Sequence, residues 1–368
     1  MLSLTRKKKT GSVVGLEIEA GSIAATEVQA NGSVQLVGSA IGPLDPGAFA
    51  EGEVRDADRL ATALKELFAA HKLGKRVRLG IGNQRVVVRT MRLPALEDRK
   101  QLDAAIEFQA QEQIPMPLDQ AVLEHQVVGG VPAEEGATPQ VDVVVVAARR
   151  DMIASFVEPL RSAGLEPVGM DLSAFAMIRA LAAEGEAAVA EGGTDGDGEV
   201  APQQRAATLY CSVGDVVNLA VARGRACLFT RVSYAGLESI AGRLGSTKGL
   251  SPEHAGQWLT HVGLEQPLEQ VEGDPETVAE ARRALEEGVG TLVDELRLSL
   301  DYYGAQEGAQ PVERVVVGGP GGAIAGLAPR MEASIGLPIV VASPPALSGL
   351  EPSAAARLTL PYGLALED

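Results

Sequence analysis

Residues 207–236 read ATLYCSVGDVVNLAVARGRACLFTRVSYAG. Short apolar runs separated by small-residue breaks give a strand, a turn, a strand, a glycine-bearing tip and a third strand. The chain opens in nearly the same order. VGLEIEAGSIAATEV (residues 14–28) carries one strand into a small-residue turn and out as a second, Ile23 to Gln29. Asn31-Gly32, a strong hairpin signal, leads to a third strand, Val34 to Ala40. A meander that occurs twice at a long interval marks two copies of one unit.

Helix and strand signals follow each copy. Asp56 or Asp58 can cap a helix whose Leu60, Leu64, Leu67 and Phe68 fall at helical spacing before Gly74. Strands are expected over 76–82 and 85–93, an acidic amphipathic helix up to Pro115 and Pro117, and strands over 118–128 and 141–148. A further helix is interrupted or ended near Pro159, and a short strand then leads into another helix. After the second copy come a mostly helical stretch, 237–306, and a buried strand, a glycine turn, a helix and a final strand. The pattern predicts an α/β protein with two mixed sheets facing each other across a cleft, each packed with helices.

Bulk properties narrow the function. The 368 residues are 46% hydrophobic, enough for two cores, and carry a formal net charge of −17. That balance excludes nucleic acid as the main partner, because counterion release needs clustered cations. The one basic run, Arg6 to Lys9, reads as a solvated terminus or as weak attraction to an anionic membrane. No apolar stretch long enough for a signal peptide or a membrane span follows it, so a cytoplasmic protein is expected. Cys211 and Cys227 give no metal spacing and the four histidines are scattered, so no metal site is expected from them. Residues 184–205 are rich in glycine and acid and read as a flexible linker.

The duplicated layout is that of actin, Hsp70 and sugar kinases. RLPALEDRKQLDAAIEFQAQEQIPMPLDQAVLEHQVVG (92–129), LFTRVSYAG, ELRLSLDYYGAQ and VVVGGPGGAIAGLAPRMEASIGLPIVV resemble, in order and spacing, the PilM family of type IV pilus assembly proteins, actin-like relatives of the division protein FtsA. The most specific part is Ile114 to Leu118, against the family's E-x-x-I-P-F-P. The resemblance implies an actin-like (ribonuclease H-like) two-lobe fold with an FtsA-type 1C subdomain. Its divisions would be a basic start (1–10), 1A (11–91, with a return over 165–184), 1C (92–164), the linker (185–205), 2A (206–236 and 291–368) and 2B (237–290). It also implies a scaffold at the inner face of the cytoplasmic membrane that binds the cytoplasmic tail of a PilN-like inner-membrane protein and works with other pilus assembly proteins. ATP with Mg would bind between the lobes.

The family's first phosphate turn, G-L-D-I-G-S-S-S, aligns with GLEIEAGSIA, so Glu17 stands for Asp and Glu19 for Gly. Glu17 keeps the charge; Glu19 adds a second carboxylate where backbone should approach phosphate, with Gly21 and Ser22 available if the register slips. Counting back from the shared LFTR places Cys211 at the second turn's Asp and Val213 at its Gly, with Val217 or Asn218 at its Thr and Gly214 and Asp215 late. A thiol is a poor Mg ligand. Gly318, Gly319, Gly321 and Gly322 follow a strand where the family has its adenosine turn, with Pro320 removing one donor, and a purely structural reading of those glycines stays open. These departures point to a non-catalytic scaffold with a degenerate nucleotide site. The alternatives are an ATP-binding switch using Glu17 and Asp215, or an actin-like protein of type II secretion or cell division.

For the partner groove the candidates are Arg89, Met91 and Arg92 on the segment entering 1C, and Ile114, Pro115, Met116, Pro117 and Leu118 at the proline step. A tail could add beside the 85–93 strand with pockets selecting its side chains. The competing reading is that Ile114 and Met116 fill core. Trp258, His254 and His261 read as packing or solvent-facing residues of 2B.

Overall fold

The computed structural model describes residues 11–30, 33–96, 98–131, 138–192, 206–306 and 308–366. The Asn31-Gly32 tip and the basic start lie outside these.

The first copy is a meander of β1 (Val13–Ile18), β2 (Ser22–Ala30) and β3 (Val34–Pro43), followed by the two-residue strands β4 (Phe49–Ala50) and β5 (Glu53–Val54). Helix α1 (Ala57–His71) then crosses to β6 (Arg76–Ile81). Asp56 caps α1 by accepting from the Arg59 N–H, and Lys72 ends it in the left-handed conformation, two residues before Gly74. Its Leu60, Leu64, Leu67 and Phe68 are buried, each stabilising by about 1.5–3 kcal/mol.

An insertion follows: β7 (Val87–Pro94), α2 (Arg99–Gln113), β8 (Ala121–Val131), β9 (Gln140–Arg149) and α3 (Arg150–Ser162). Its strands form a separate sheet in the order β7-β9-β8, with Met91, Ile106, Ala110, Ile114, Val143 and Val145 as core. Helix α3 runs through Pro159 rather than ending there. Strand β10 (Glu166–Leu172) returns to the first sheet, whose order is β10-β6-β1-β2-β3, with β6 parallel to β1 and to β10.

Helix α4 (Ser173–Gly192) continues past the point where the composition suggested a linker; the rest of that segment, 193–205, lies outside the described residues. The second copy is β11 (Ala207–Val213), β12 (Val217–Arg223) and β13 (Ala226–Ser233). Then come α5 (Leu237–Lys248), α6 (Pro252–Val262), the 30-residue α7 (Pro275–Gly304), β14 (Val312–Gly318), α8 (Leu327–Ile335), β15 (Ile339–Val341) and α9 (Pro352–Ala365). Its sheet order, β13-β12-β11-β14-β15, repeats the first sheet position for position, with β14 and β15 in the places of β6 and β10. The fold is two actin-like lobes, as the repeated meander predicts.

Helix α9 went unread in the sequence because Pro361 and Gly363 look like breakers. It is buried against β1, β2 and α4, and its glycine is a packing device: a Cβ at Gly363 would lie 2.0 Å from the Ala176 carbonyl oxygen. Gly15 of β1 faces the same helix, 1.9 Å from the Pro361 carbonyl oxygen by the same measure. Among the described residues no helix is long and apolar enough to cross a membrane.

Candidate functional site

The turns joining β1 to β2 and β11 to β12 face each other across the cleft. In the first, Ile18 pairs with Ile23 and the Glu19 N–H bonds the Ser22 carbonyl at 2.9 Å, leaving Ala20 and Gly21 at the tip. In the second, Val213 pairs with Val217, and Gly214 and Asp215 project between them. Counting from these last pairs makes Ser212 the counterpart of Glu17, and Gly214 the counterpart of Glu19.

This corrects the sequence alignment by one residue. The β12–β13 ladder shifts register between Val221 and Ala222, with Phe229 and Cys227 opposite them, which leaves Leu228 bulged. By this count Ser212, not Cys211, falls at the Asp that the resemblance implies, with Gly214 at its Gly and Asn218 at its Thr. Cys211 is buried in the lobe core, where desolvation pushes its thiol up to about 12. The first turn thus carries the carboxylates Glu17 and Glu19, where the second carries Ser212 and Gly214.

The two turns are hydrogen-bonded to each other. The Ala20 N–H donates to Asp215 Oδ2 at 2.7 Å, with the Gly21 N–H adding to the same carboxylate, and the Asp215 N–H donates to Glu19 Oε1 at 3.0 Å. Glu19 uses the space that Gly214 leaves open: a Cβ there would lie 2.4 Å from Glu19 Oε1. Backbone N–H groups of both turns thus donate to carboxylate oxygens, where such groups could otherwise meet a phosphate. A third contact closes the rim, where the Glu51 N–H donates to Glu238 Oε2 of α5 at 3.3 Å. Further along, Gln84 Nε2 donates to the Val232 carbonyl oxygen at 3.1 Å.

Four carboxylates therefore crowd one cleft, with Arg357 of α9 as the cation acting on three of them. Burial, then Glu19 and Asp215, raise Glu17 well above the usual carboxylate range. Burial, then Asp215, raise Glu19 to about 7. Burial raises Asp215, and burial followed by Asp215 raises Glu238. Asn218 is buried, its Oδ1 lies against Gly82, and among the described residues that oxygen has no hydrogen-bond partner. The remaining cavity, lined by Glu17, Glu19, Ser212, Asp215, Asn218 and Gly319 among others, is about 30 Å³. That is the liquid volume of roughly one water, against about 300–1,000 Å³ for pockets that enclose drug-sized ligands. Among the described residues no group of His, Cys, Asp and Glu is arranged to hold a metal ion.

The glycine run lies close against β11. Gly318 ends β14, Gly319 has φ +77°, and Cβ atoms at Gly319 and Gly321 would lie 2.6 Å from Ser212 Oγ and 2.4 Å from Val213 Cγ1. Gly322 lies against Val341. These glycines let the turn settle on β11, with Gly319 and Pro320 at the cleft wall. Ser22 is buried at the start of β2, and Gly21 is exposed.

The partner candidates divide by burial. Met91 and Ile114 are inside the small-sheet core; Met116 and Leu118 are half-buried beside it; Arg89, Pro115 and Pro117 are exposed. Arg92, also exposed, pairs with Asp142 at 3.0 Å. Phe108 on α2 is 71% exposed, a large apolar side chain that reading the segment as an acidic amphipathic helix did not single out. In the lobe of the second copy, Trp258 and His261 pack edge to face, as expected of packing residues.

Comparison with known proteins gives the geometry a lineage. The family model described as type IV pilus assembly protein PilM matches residues 15–361. The chain belongs to the PilM family. A solved structure of a "PilM-PilN type IV pilus biogenesis complex" is 25% identical with a TM-score of 0.76, covering 97% of this chain and 98% of that one. MreB5 of Spiroplasma citri bound to ADP (11% identity, TM-score 0.52, 96% and 95% covered) shares the fold. So does the ethanolamine utilization protein EutJ of Carboxydothermus hydrogenoformans (12%, 0.51, 96% and 89%). The PilM-family fold therefore carries, in this chain, a cleft whose two turns are bonded to each other.

Proposed function

We propose that this PilM family member is a scaffold of type IV pilus assembly that binds the cytoplasmic tail of a PilN-like inner-membrane protein, and that its nucleotide cleft is closed by its own carboxylates. The observation that carries the second part is the reciprocal pair Ala20–Asp215 and Asp215–Glu19. A triphosphate needs the N–H groups that these carboxyl groups take, and the space left between the turns is only about 30 Å³. Mg-ATP does not fit the cleft in this arrangement. The chain acts from the cytoplasmic side of the membrane, reaching it through its partner.

The family match and the PilM-PilN structure support the tail as ligand. We assign the tail to the surface of Arg89, Arg92, Pro115, Met116, Pro117 and Leu118, with Met91 and Ile114 stiffening it from beneath. The insertion from β7 to α3 is then the 1C subdomain and the helices α5 and α6 belong to 2B. The test is calorimetric titration of a synthetic peptide with the cytoplasmic tail of a PilN-like protein from the same organism, with and without Mg-ATP. The reading predicts binding that nucleotide leaves unchanged; absence of binding, or affinity that shifts tenfold with Mg-ATP, would refute it.

A further inference from the structure

The loop from α6 to α7, residues 263–274, builds a groove of about 580 Å³ far along the sequence from the cleft turns. Leu268, Val271, Pro275 and Val278 form its apolar wall, with Glu269 and Glu272 on the rim. Leu268 is 39% exposed. The loop is fixed from below. Arg282 donates to the carbonyl oxygens of Gly263 at 2.8 Å and Gln266 at 2.6 Å, and His261 Nε2 meets the Glu272 carbonyl oxygen at 2.7 Å. Gly273, at φ +136°, sits on the Trp258 ring, 2.6 Å from Cη2 by the Cβ measure. Such a groove is preformed, which lowers the ordering cost of binding.

Its charge is one-sided. Between Gly263 and Ala281 there are six acidic residues and no Lys or Arg. Asp274 caps α7 by accepting from the Thr277 N–H, Glu276 pairs with Lys248 and Glu280 with Arg283. Glu265, Glu269 and Glu272 have no ion pair among the described residues, and Arg282 is turned to carbonyls. An apolar wall rimmed by unpaired carboxylates suits a peptide with aliphatic anchors and clustered cations.

The chain itself contains one such segment. Residues 1–10, MLSLTRKKKT, place Met1, Leu2 and Leu4 just before four consecutive cations, Arg6 to Lys9, in a protein of net charge −17. We infer that the α6–α7 groove is the docking site for this basic segment of the chain. The inference is independent of the cleft and of the tail surface, and goes beyond the pilus reading.

The test uses a fluorescein-labelled peptide of residues 1–12, followed by anisotropy at low and moderate salt. It is added to the intact chain and to a full-length variant with Arg6→Gln, Lys7→Gln, Lys8→Gln and Lys9→Gln. The neutralised chain should bind the peptide at least fivefold more tightly, because in the intact chain the resident segment competes. Glu269→Lys with Glu272→Lys in the neutralised chain should weaken binding tenfold or more, Leu268→Asp should weaken it as well, and added salt should weaken it severalfold. Equal binding by intact and neutralised chains, or binding indifferent to the groove variants, would overturn the assignment. So would a peptide that binds vesicles containing phosphatidylserine and neither form of the chain.

Discussion

Glu19 and Asp215, 196 residues apart in sequence, hold each other's turns: the Asp215 N–H donates to Glu19 Oε1 at 3.0 Å, and the Asp215 carboxylate accepts from Ala20, the residue after Glu19. They stand on opposite lobes. A contact of this kind ties lobe closure to the ionisation of the groups that make it.

Stability should fall as the pH rises through the range in which Glu19 titrates. Its carboxyl is raised from about 4.5 to about 7, so the folded state holds a proton that the unfolded chain has released. The stabilising effect is complete below the unfolded value and is lost as the pH climbs towards about 7. At 1.36 kcal/mol per unit it amounts to roughly 3 kcal/mol at most. Glu17, Asp215 and Glu238 are raised too and act in the same direction. Urea denaturation from pH 5 to 8 should show a decline that Glu19→Gln makes shallower; parallel profiles for the two proteins would contradict the assignment.

Substituting the glycine turn should damage the fold. Gly321→Ala places a methyl group 2.4 Å from Val213 Cγ1, and overpacking of that order destabilises by about 1–3 kcal/mol. Gly21→Ala, where a Cβ meets nothing within 4 Å, should be near neutral. Thermal melts of the two variants check the contrast, which would vanish if the run were a loose ligand loop.

On the partner surface, Met116→Asp should abolish tail binding and leave the melting temperature nearly unchanged. Met91→Asp buries a charge in the small-sheet core and should unfold that region. Peptide titration and melting of both variants separate groove from core. A collapsed melt for Met116→Asp would assign that side chain to the core.

The duplicated meander made the fold legible, because a repeat of strand, turn and strand is a periodicity that survives divergence. The register of the second turn was not, since only the β11–β12 pairing, with Val213 opposite Val217, fixes where that turn begins. Helix α9 was hidden because Pro361 and Gly363 report close packing there rather than a break. The reading of Glu19 foresaw repulsion but not the bond to Asp215, because the opposing N–H belongs to the other lobe and only the folded chain brings it near.

The measurement that bears most directly on the closed cleft is calorimetric titration of Mg-ATP into the wild-type chain and into Glu19→Gly. The variant removes the carboxylate from above Gly214 and restores the small residue that a phosphate turn requires. The account predicts no binding heat at micromolar to millimolar nucleotide for the wild type, and at least a tenfold gain in affinity for the variant. Micromolar binding by the wild type, unchanged in the variant, would show that the two turns part for nucleotide and that Glu19 does not hold them shut.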